Sequence, residues 1–117
     1  MLAILIPLNG AHINGKRDFC IWDKVEADFD TFRVPKSARM DAPVAFWWAG
    51  VGIVATGTVI SPVFQQGDVE DRNFNCDVAA IRFDRVFWNN PVYRGELAAA
   101  VQQVPCYIEK KLLQDIL

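Results

Sequence analysis

Two apolar runs separated by a short glycine-containing stretch restrict the folds available to this chain more than any other feature of its sequence. Residues 44–48 form a short β-type run, and residues 53–61 form a second run rich in Val, Ile and Thr. Such residues favour extended strands, and Gly50 and Gly52 can adopt the positive φ angles that tight turns require. The segment therefore predicts a β-hairpin with both glycines at its turn. Pro62 has no N–H to donate and is expected to end the strand pairing.

Residues 78–88 predict a further strand, because apolar and polar side chains alternate there. The side chains expected on its apolar face are Ala79, Ile81, Phe83 and Phe87, and those on the opposite face include Arg82 and Asp84. Between this strand and the hairpin, residues 65–77 are polar and contain Gly67, as expected of a surface loop. That loop is either a plain insertion or a lid over a site.

Three segments have the apolar spacing of three and four residues that marks one face of a helix. They are Trp22, Val25, Phe29 and Phe32; Tyr93, Leu97, Val101 and Val104; and Leu112, Leu113 and Ile116. Pro35 is expected to end the first helix. With a first strand over residues 1–8, before a turn at Asn9-Gly10, the predicted order is β, α, β, β, β, α, α.

The length and composition predict one folded domain over residues 1–117, and the mixture of predicted strands and helices makes it an α+β domain. Hydrophobic residues make up 52% of the chain, with four Trp and eight Phe, which is too apolar for a disordered segment. The net charge of −2 means that any attraction of nucleic acid must be local. Residues 1–8 are too short to span a bilayer, so no membrane association is expected.

Cys20, Cys76 and Cys106 are odd in number and widely spaced, so neither a zinc site nor a disulfide framework is predicted. Buried free cysteines indicate a reducing, cytoplasmic location.

No catalytic motif occurs in the sequence. It lacks a phosphate-binding P-loop, a nucleophile elbow and the two-histidine zinc motif. His12 lies in a polar stretch with no obvious nucleophile beside it, and is expected to be a surface histidine. The nearest carboxylate pairs, Asp28 with Asp30 and Glu70 with Asp71, are expected on solvated segments, where charged side chains serve solubility. The chain is therefore predicted to be no enzyme and to need no metal or cofactor.

Residues 46–62, FWWAGVGIVATGTVISP, resemble the central hairpin of EVE domains in the PUA-like superfamily. Residues 77–83, Pro91 and Glu96-Leu97 are similar to the strand, proline and helix start that follow in that family, so the resemblance covers about residues 32–97. It implies a small β-barrel or curled mixed sheet with flanking helices, and recognition of a modified nucleobase in DNA or RNA. The chain departs from the family at Asp41-Ala42-Pro43, where Gly-Asp is often found.

By this resemblance we expect a non-catalytic binding module in which aromatic rings stack on a flipped base. The nucleobase-binding candidates are Trp47, Trp48, Phe32 and Ser37, and the phosphate-binding candidates are Arg33, Lys36 and Arg39. The three basic residues also fit a merely solvated loop. Some relatives carry a fused HNH nuclease. We expect no second module here, so any cleavage would need a separate nuclease or other effector protein.

The two tryptophans are expected to differ, because successive strand residues point to opposite faces. One face should carry Val44, Phe46 and Trp48, and the other Ala45, Trp47 and Ala49. Small neighbours predict open space beside Trp47, which favours it as the ligand-facing ring; alternatively, both tryptophans are packing elements. The alternative function is a protein–protein or small-ligand binding module in a restriction, defence or mobile-element system.

Overall fold

The computed structural model describes residues 1–8, 29–66, 76–87, 90–102 and 104–117. Its strands are β1 (Leu2–Leu8), β2 (Phe29–Arg33), β3 (Pro43–Trp48), β4 (Gly52–Val59), β5 (Phe64–Gln66), β6 (Cys76–Val86) and β7 (Cys106–Glu109). Helix α1 spans Gly95–Ala100, and a 3₁₀ turn spans Lys110–Leu113. Within this part of the chain the strands form one curled mixed sheet, a half-barrel with few helices.

The strand order across the sheet is β2-β6-β4-β3-β1-β7. Strands β1 and β3 are parallel, with Ile4 opposite Val44, and the other pairs are antiparallel. The short strand β5 pairs with β6 on the same side as β4. Val78 of β6 therefore lies between Arg33 of β2 and Phe64 of β5.

The predicted hairpin and the opening strand are confirmed. Strands β3 and β4 pair up to Trp48 and Gly52. Gly50 has φ 78° and Gly52 has φ 122°, the left-handed values expected at the turn. Pro62 interrupts the pairing without ending it: the Ser61 hydroxyl accepts a hydrogen bond from the Ala80 amide at 2.9 Å, and β5 then resumes the ladder along β6.

The sheet buries a hydrophobic cluster on each side. We call them the Phe46 face and the Trp47 face. The Phe46 face includes Ile4, Phe46, Trp48, Val59 and Ile81, and the Trp47 face includes Leu5, Ala45, Trp47, Ile53, Leu97, Leu113 and Ile116. The alternation predicted for β3 is therefore confirmed. The C-terminal segments cover the Trp47 face, because Leu97 comes from α1 and Leu113 from the 3₁₀ turn.

A β-bulge corrects one detail of the predicted third strand. Thr56 pairs with Arg85 while Gly57 pairs with Phe83, so Asp84 is an extra residue in β6. The extra residue reverses the alternation beyond it. Ala79, Ile81 and Phe83 lie on the Phe46 face as predicted, whereas Phe87 packs on the Trp47 face.

The first predicted helix is wrong where the structure describes it. Phe29–Arg33 form β2, which pairs with β6 from Arg82 to Val78. Phe29 and Phe32 consequently point to opposite sides: Phe29 is 51% exposed, and Phe32 packs against the Phe46 face. The open edge of β6 offered backbone hydrogen bonds that helical spacing alone could not reveal. The earlier part of that helix lies outside the described residues.

The C-terminal helices are shorter than predicted. Helix α1 ends before Val101, which is extended, and Tyr93 and Val104 lie outside the helix. Strand β7 follows Pro105 and pairs with β1, where no strand was predicted. The final helix is a single 3₁₀ turn that buries Leu113.

Several predictions concern residues that the structure does not describe: the turn at Asn9-Gly10, His12, Cys20, Asp28, Glu70 and Asp71, the side chains of Asp30 and Cys76, and the centre of the loop 65–77, whose ends belong to β5 and β6. Among the helices that are described, none has the length and apolar character needed to cross a bilayer.

Candidate ligand-binding groove

The loop of residues 34–42, between β2 and β3, has a backbone held at both ends. The Val34 amide donates to the Asp77 carbonyl at 3.0 Å, and the Asp41 amide donates to the Val59 carbonyl at 2.8 Å. Val34 and Ala38 are buried in the Phe46 face. Asp41 has φ 68°, a left-handed conformation that aspartate adopts more readily than most residues. The exposed side chains of this loop therefore project from a well-anchored backbone.

A groove of about 440 Å³ lies between this loop and the sheet, and we call it the Tyr107 groove. It is lined by Leu2, Ser37, Arg39, Ala42 and Tyr107. The Ser37 Oγ and the Tyr107 hydroxyl oxygen are 2.9 Å apart and share a hydrogen bond, although 70 positions separate them in sequence. Tyr107 is 36% exposed and stands opposite Ile4 on the neighbouring strand.

The chemistry of the Tyr107 groove is cationic, hydroxylic and aromatic. The Arg39 guanidinium is always charged and offers several N–H donors in a fork that matches phosphate or carboxylate oxygens. Arg39 forms no ion pair with any described residue. Its charge is therefore available to an anionic ligand in a groove that the hydroxyl-bearing residues Ser37 and Tyr107 also line.

The structure brings together only some of the predicted site residues. Ser37 and Arg39 line the same groove, and Lys36 precedes them on the loop with an exposed side chain. Arg33 is exposed at the end of β2. The remaining candidates, Phe32, Trp47 and Trp48, do not line the Tyr107 groove.

Phe32 and Trp48 belong to the Phe46 face. The Phe32 ring is 4.9 Å from the Phe46 ring and 5.8 Å from the Phe83 ring, measured between centroids, so Phe32 is part of an aromatic core cluster. Trp48 is buried among the same residues. Neither side chain lines the groove.

Trp47 lies on the opposite face, as predicted, but the open space expected beside it is filled. Its side chain is only 4% exposed, and its ring lies 5.5 Å from the ring of Tyr93. The segment around Tyr93 is anchored there, because Val92 and Ile53 exchange backbone hydrogen bonds of 3.0 and 2.8 Å. The small neighbours of Trp47 made space for packing partners from a later part of the chain.

Tyr107 is the groove residue that sequence reasoning missed. It was assigned to no element, because Pro105 separates two helical patterns and the strand after it has only four residues. The one available signal was the alternation of Tyr107, Ile108 and Glu109, which is too short to identify a strand alone.

Cys106 is the one cysteine whose side chain the structure describes, and it is a free thiol. Its Sγ donates to the Ala100 carbonyl at 3.7 Å. Burial raises the pKa of the Cys106 thiol above its usual value, so the thiol stays protonated at neutral pH and is a poor nucleophile.

The fold and the groove define a small curled mixed-sheet protein with an open cationic groove at one end of the sheet. No protein-family model matches the chain, and neither the curated proteins nor the solved structures contain a match. The resemblance to EVE domains therefore rests on the sequence motifs and stays a prediction.

Proposed function

We propose that this chain is a non-catalytic module that binds a nucleotide unit of DNA or RNA in the Tyr107 groove. The observation that carries the proposal is the shared hydrogen bond between Ser37 and Tyr107 beside an Arg39 that has no ion-pair partner in the described residues. Recognition of a modified base, in particular, is the part that the resemblance to EVE domains suggests.

Each side chain of the groove suits one part of a nucleotide. The Arg39 guanidinium would hold a phosphate. The Ser37 and Tyr107 hydroxyls can each donate and accept a hydrogen bond, as needed for the polar edge of a base or for a ribose. The ring of Tyr107, a residue that is 36% exposed, would stack on a base, an interaction of about 1–3 kcal/mol per base.

A nucleic acid bound through only a few phosphate contacts is consistent with the overall charge of the protein. With a net charge of −2, the molecule as a whole does not attract a polyanion. Arg33, Lys36 and Arg39 lie on or beside one loop and provide a local positive patch. We therefore expect binding with a weak salt dependence, in which base contacts supply the selectivity.

We predict that Arg39→Gln and Tyr107→Ala each lower the affinity for a bound oligonucleotide by about tenfold or more, as expected for the loss of a charged hydrogen bond or a stacking ring. The measurement is fluorescence anisotropy with short oligonucleotides that carry normal or modified bases, at two salt concentrations. Raised salt should reduce the effect of Arg39→Gln and leave that of Tyr107→Ala unchanged.

Tyr107→Phe is the matched control, because it keeps the ring and removes only the hydroxyl bonded to Ser37. It should retain stacking and lose selectivity between bases. If no oligonucleotide in the panel binds, or if the Arg39 and Tyr107 variants bind as tightly as the unsubstituted protein, the proposal is wrong.

The second candidate function is a protein-binding or small-ligand module. Leu2 is 51% exposed beside the groove, and Met40 is exposed on the same loop, so the rim of the groove has an apolar part. Such a patch is typical of protein contacts. Binding of a non-nucleic ligand that Tyr107→Ala abolishes, together with no oligonucleotide binding, would favour this candidate.

We expect the purified protein to show no hydrolysis or group transfer on nucleic acids or nucleotides. Burial keeps the Cys106 thiol protonated, and its Sγ donates to a backbone carbonyl and not to a base that could activate it. Incubation of end-labelled oligonucleotides with and without divalent metal tests this. Turnover that a single substitution abolishes would show that the chain is an enzyme.

A further inference from the structure

A second groove, of about 690 Å³, lies at the other end of β7 and contains two lysines. It is lined by Met1, Glu109, Lys110, Lys111, Gln114 and Leu117, and we call it the lysine groove. Neither lysine forms an ion pair with a described residue. Two cationic side chains are therefore available next to exposed apolar surface from Met1 and Leu117.

The backbone that carries the two lysines is anchored. The Lys110 amide donates to the Met1 carbonyl at 3.0 Å, which extends the pairing of β7 with β1. The 3₁₀ turn then buries Leu113, and Ile116 is buried just beyond it. The lysine side chains thus start from defined positions on the sheet edge.

The lysine groove adjoins the Tyr107 groove. Leu2 lines the Tyr107 groove, Glu109 lines the lysine groove, and the two residues stand directly opposite each other on β1 and β7. Tyr107 and Lys110 are three residues apart, which corresponds to about 10 Å along an extended strand. That is a short distance for a flexible polyanion to cross.

We propose that the two grooves form one track for a single strand of nucleic acid, whose phosphates contact Arg39 at one end and Lys110 and Lys111 at the other. This rests on the proposed function. Between the two cationic ends, Tyr107 presents an exposed ring, and an aromatic ring between cationic groups is the pattern with which proteins hold unpaired bases. The preferred ligand is therefore a single strand of several nucleotides and not a free nucleotide.

Glu109 gives the track a feature of opposite sign. Its exposed side chain lines the same groove as the two lysines, where its negative charge repels a phosphate. Removing this charge should strengthen binding of a strand that reaches the lysines. A ligand confined to the Tyr107 groove should respond much less.

The test compares a fluorescein-labelled thymidylate dinucleotide with a labelled thymidylate octanucleotide, by anisotropy at about 50 and 200 mM salt. Phosphate contacts do not depend on base identity, so unmodified strands suffice. Lys110→Gln combined with Lys111→Gln should lower the octanucleotide affinity on the order of tenfold at low salt. The slope of log affinity against log salt should become shallower by about 1.4, the value for two phosphate contacts in single strands.

The same double variant should bind the dinucleotide within about twofold of the unsubstituted protein, while Glu109→Gln should bind the octanucleotide more tightly. Arg82→Gln is the charge control. It removes an exposed cation that is paired with Asp84 at 2.9 Å on a different part of the sheet, and it should leave both affinities unchanged. Circular dichroism confirms that each variant is folded.

The outcomes separate the two proposals. If Arg39→Gln weakens octanucleotide binding and the lysine variant does not, the track is wrong and the Tyr107 groove stands. If Arg82→Gln weakens binding as much per charge as the lysine substitutions, the effect is one of overall charge and the track is again wrong. If the unsubstituted protein binds neither thymidylate strand at low salt, the track is wrong, and the panel of normal and modified oligonucleotides decides the proposed function separately.

Discussion

Replacing Trp47 by Ala should lower the free energy of unfolding by about 3–5 kcal/mol, the usual cost of removing a buried aromatic side chain. The small residues beside Trp47 in the sequence predict a ring that faces a ligand. The structure changes that expectation, because the ring is 4% exposed among Leu5, Ile53 and Leu97 on the Trp47 face. Chemical denaturation followed by fluorescence of the remaining tryptophans measures the change.

Trp48→Ala should cost a similar amount, since Trp48 is buried in the Phe46 face. Tyr93→Ala is the matched control. Tyr93 contacts the Trp47 ring but is 61% exposed, so only the ring–ring contact of about 0.5–1.5 kcal/mol is lost. If Trp47→Ala leaves stability unchanged and abolishes oligonucleotide binding, Trp47 contacts the ligand, and its placement in the core is wrong.

Gly52→Ala should destabilise the protein by roughly 3 kcal/mol, from backbone strain and a steric clash together. Gly52 has φ 122°, and an added Cβ would lie 2.5 Å from the Val92 carbonyl oxygen. That oxygen accepts the Ile53 amide hydrogen bond at 2.8 Å, so it cannot move away without breaking the contact between β4 and the segment before α1. The midpoint and slope of urea denaturation report the loss.

Gly50→Ala separates strain from clash. Gly50 also has a positive φ, of 78°, but an added Cβ would meet nothing within 4 Å. Its substitution should cost only about 1–2 kcal/mol, the strain of a left-handed residue. Equal losses at the two glycines would contradict the close approach of Val92 to the hairpin.

The sequence alone was enough to predict the parts of the fold that depend on local pattern. The β3–β4 hairpin follows from two β-rich runs and two glycines, and the alternation along β3 places Trp47 and Trp48 on opposite faces as expected. Most of β6 was predicted from its alternation, whereas β1 was predicted from a continuous apolar run that ends before Asn9-Gly10. Alternating burial leaves a period of two in the sequence wherever a strand is long enough to show it.

Other features depended on partners distant in the chain. Phe29–Arg33 have helical spacing but form β2, because the edge of β6 satisfies their backbone hydrogen bonds. A single bulged residue, Asp84, decides the face on which Phe87 packs.

In the candidate site, too, some residues follow from the local sequence and others depend on partners distant in the chain. Arg39 could be selected from the sequence as a member of a basic loop and Ser37 from the resemblance to EVE domains, whereas Tyr107 could not be selected. Its strand has only four residues and exists because β1 offers an edge to pair with. The sequence by itself determined which loop carries the positive charge. Only the tertiary structure decided that this loop faces Tyr107 across a groove, since a contact between residues 70 positions apart depends on sheet pairing, which leaves no local pattern.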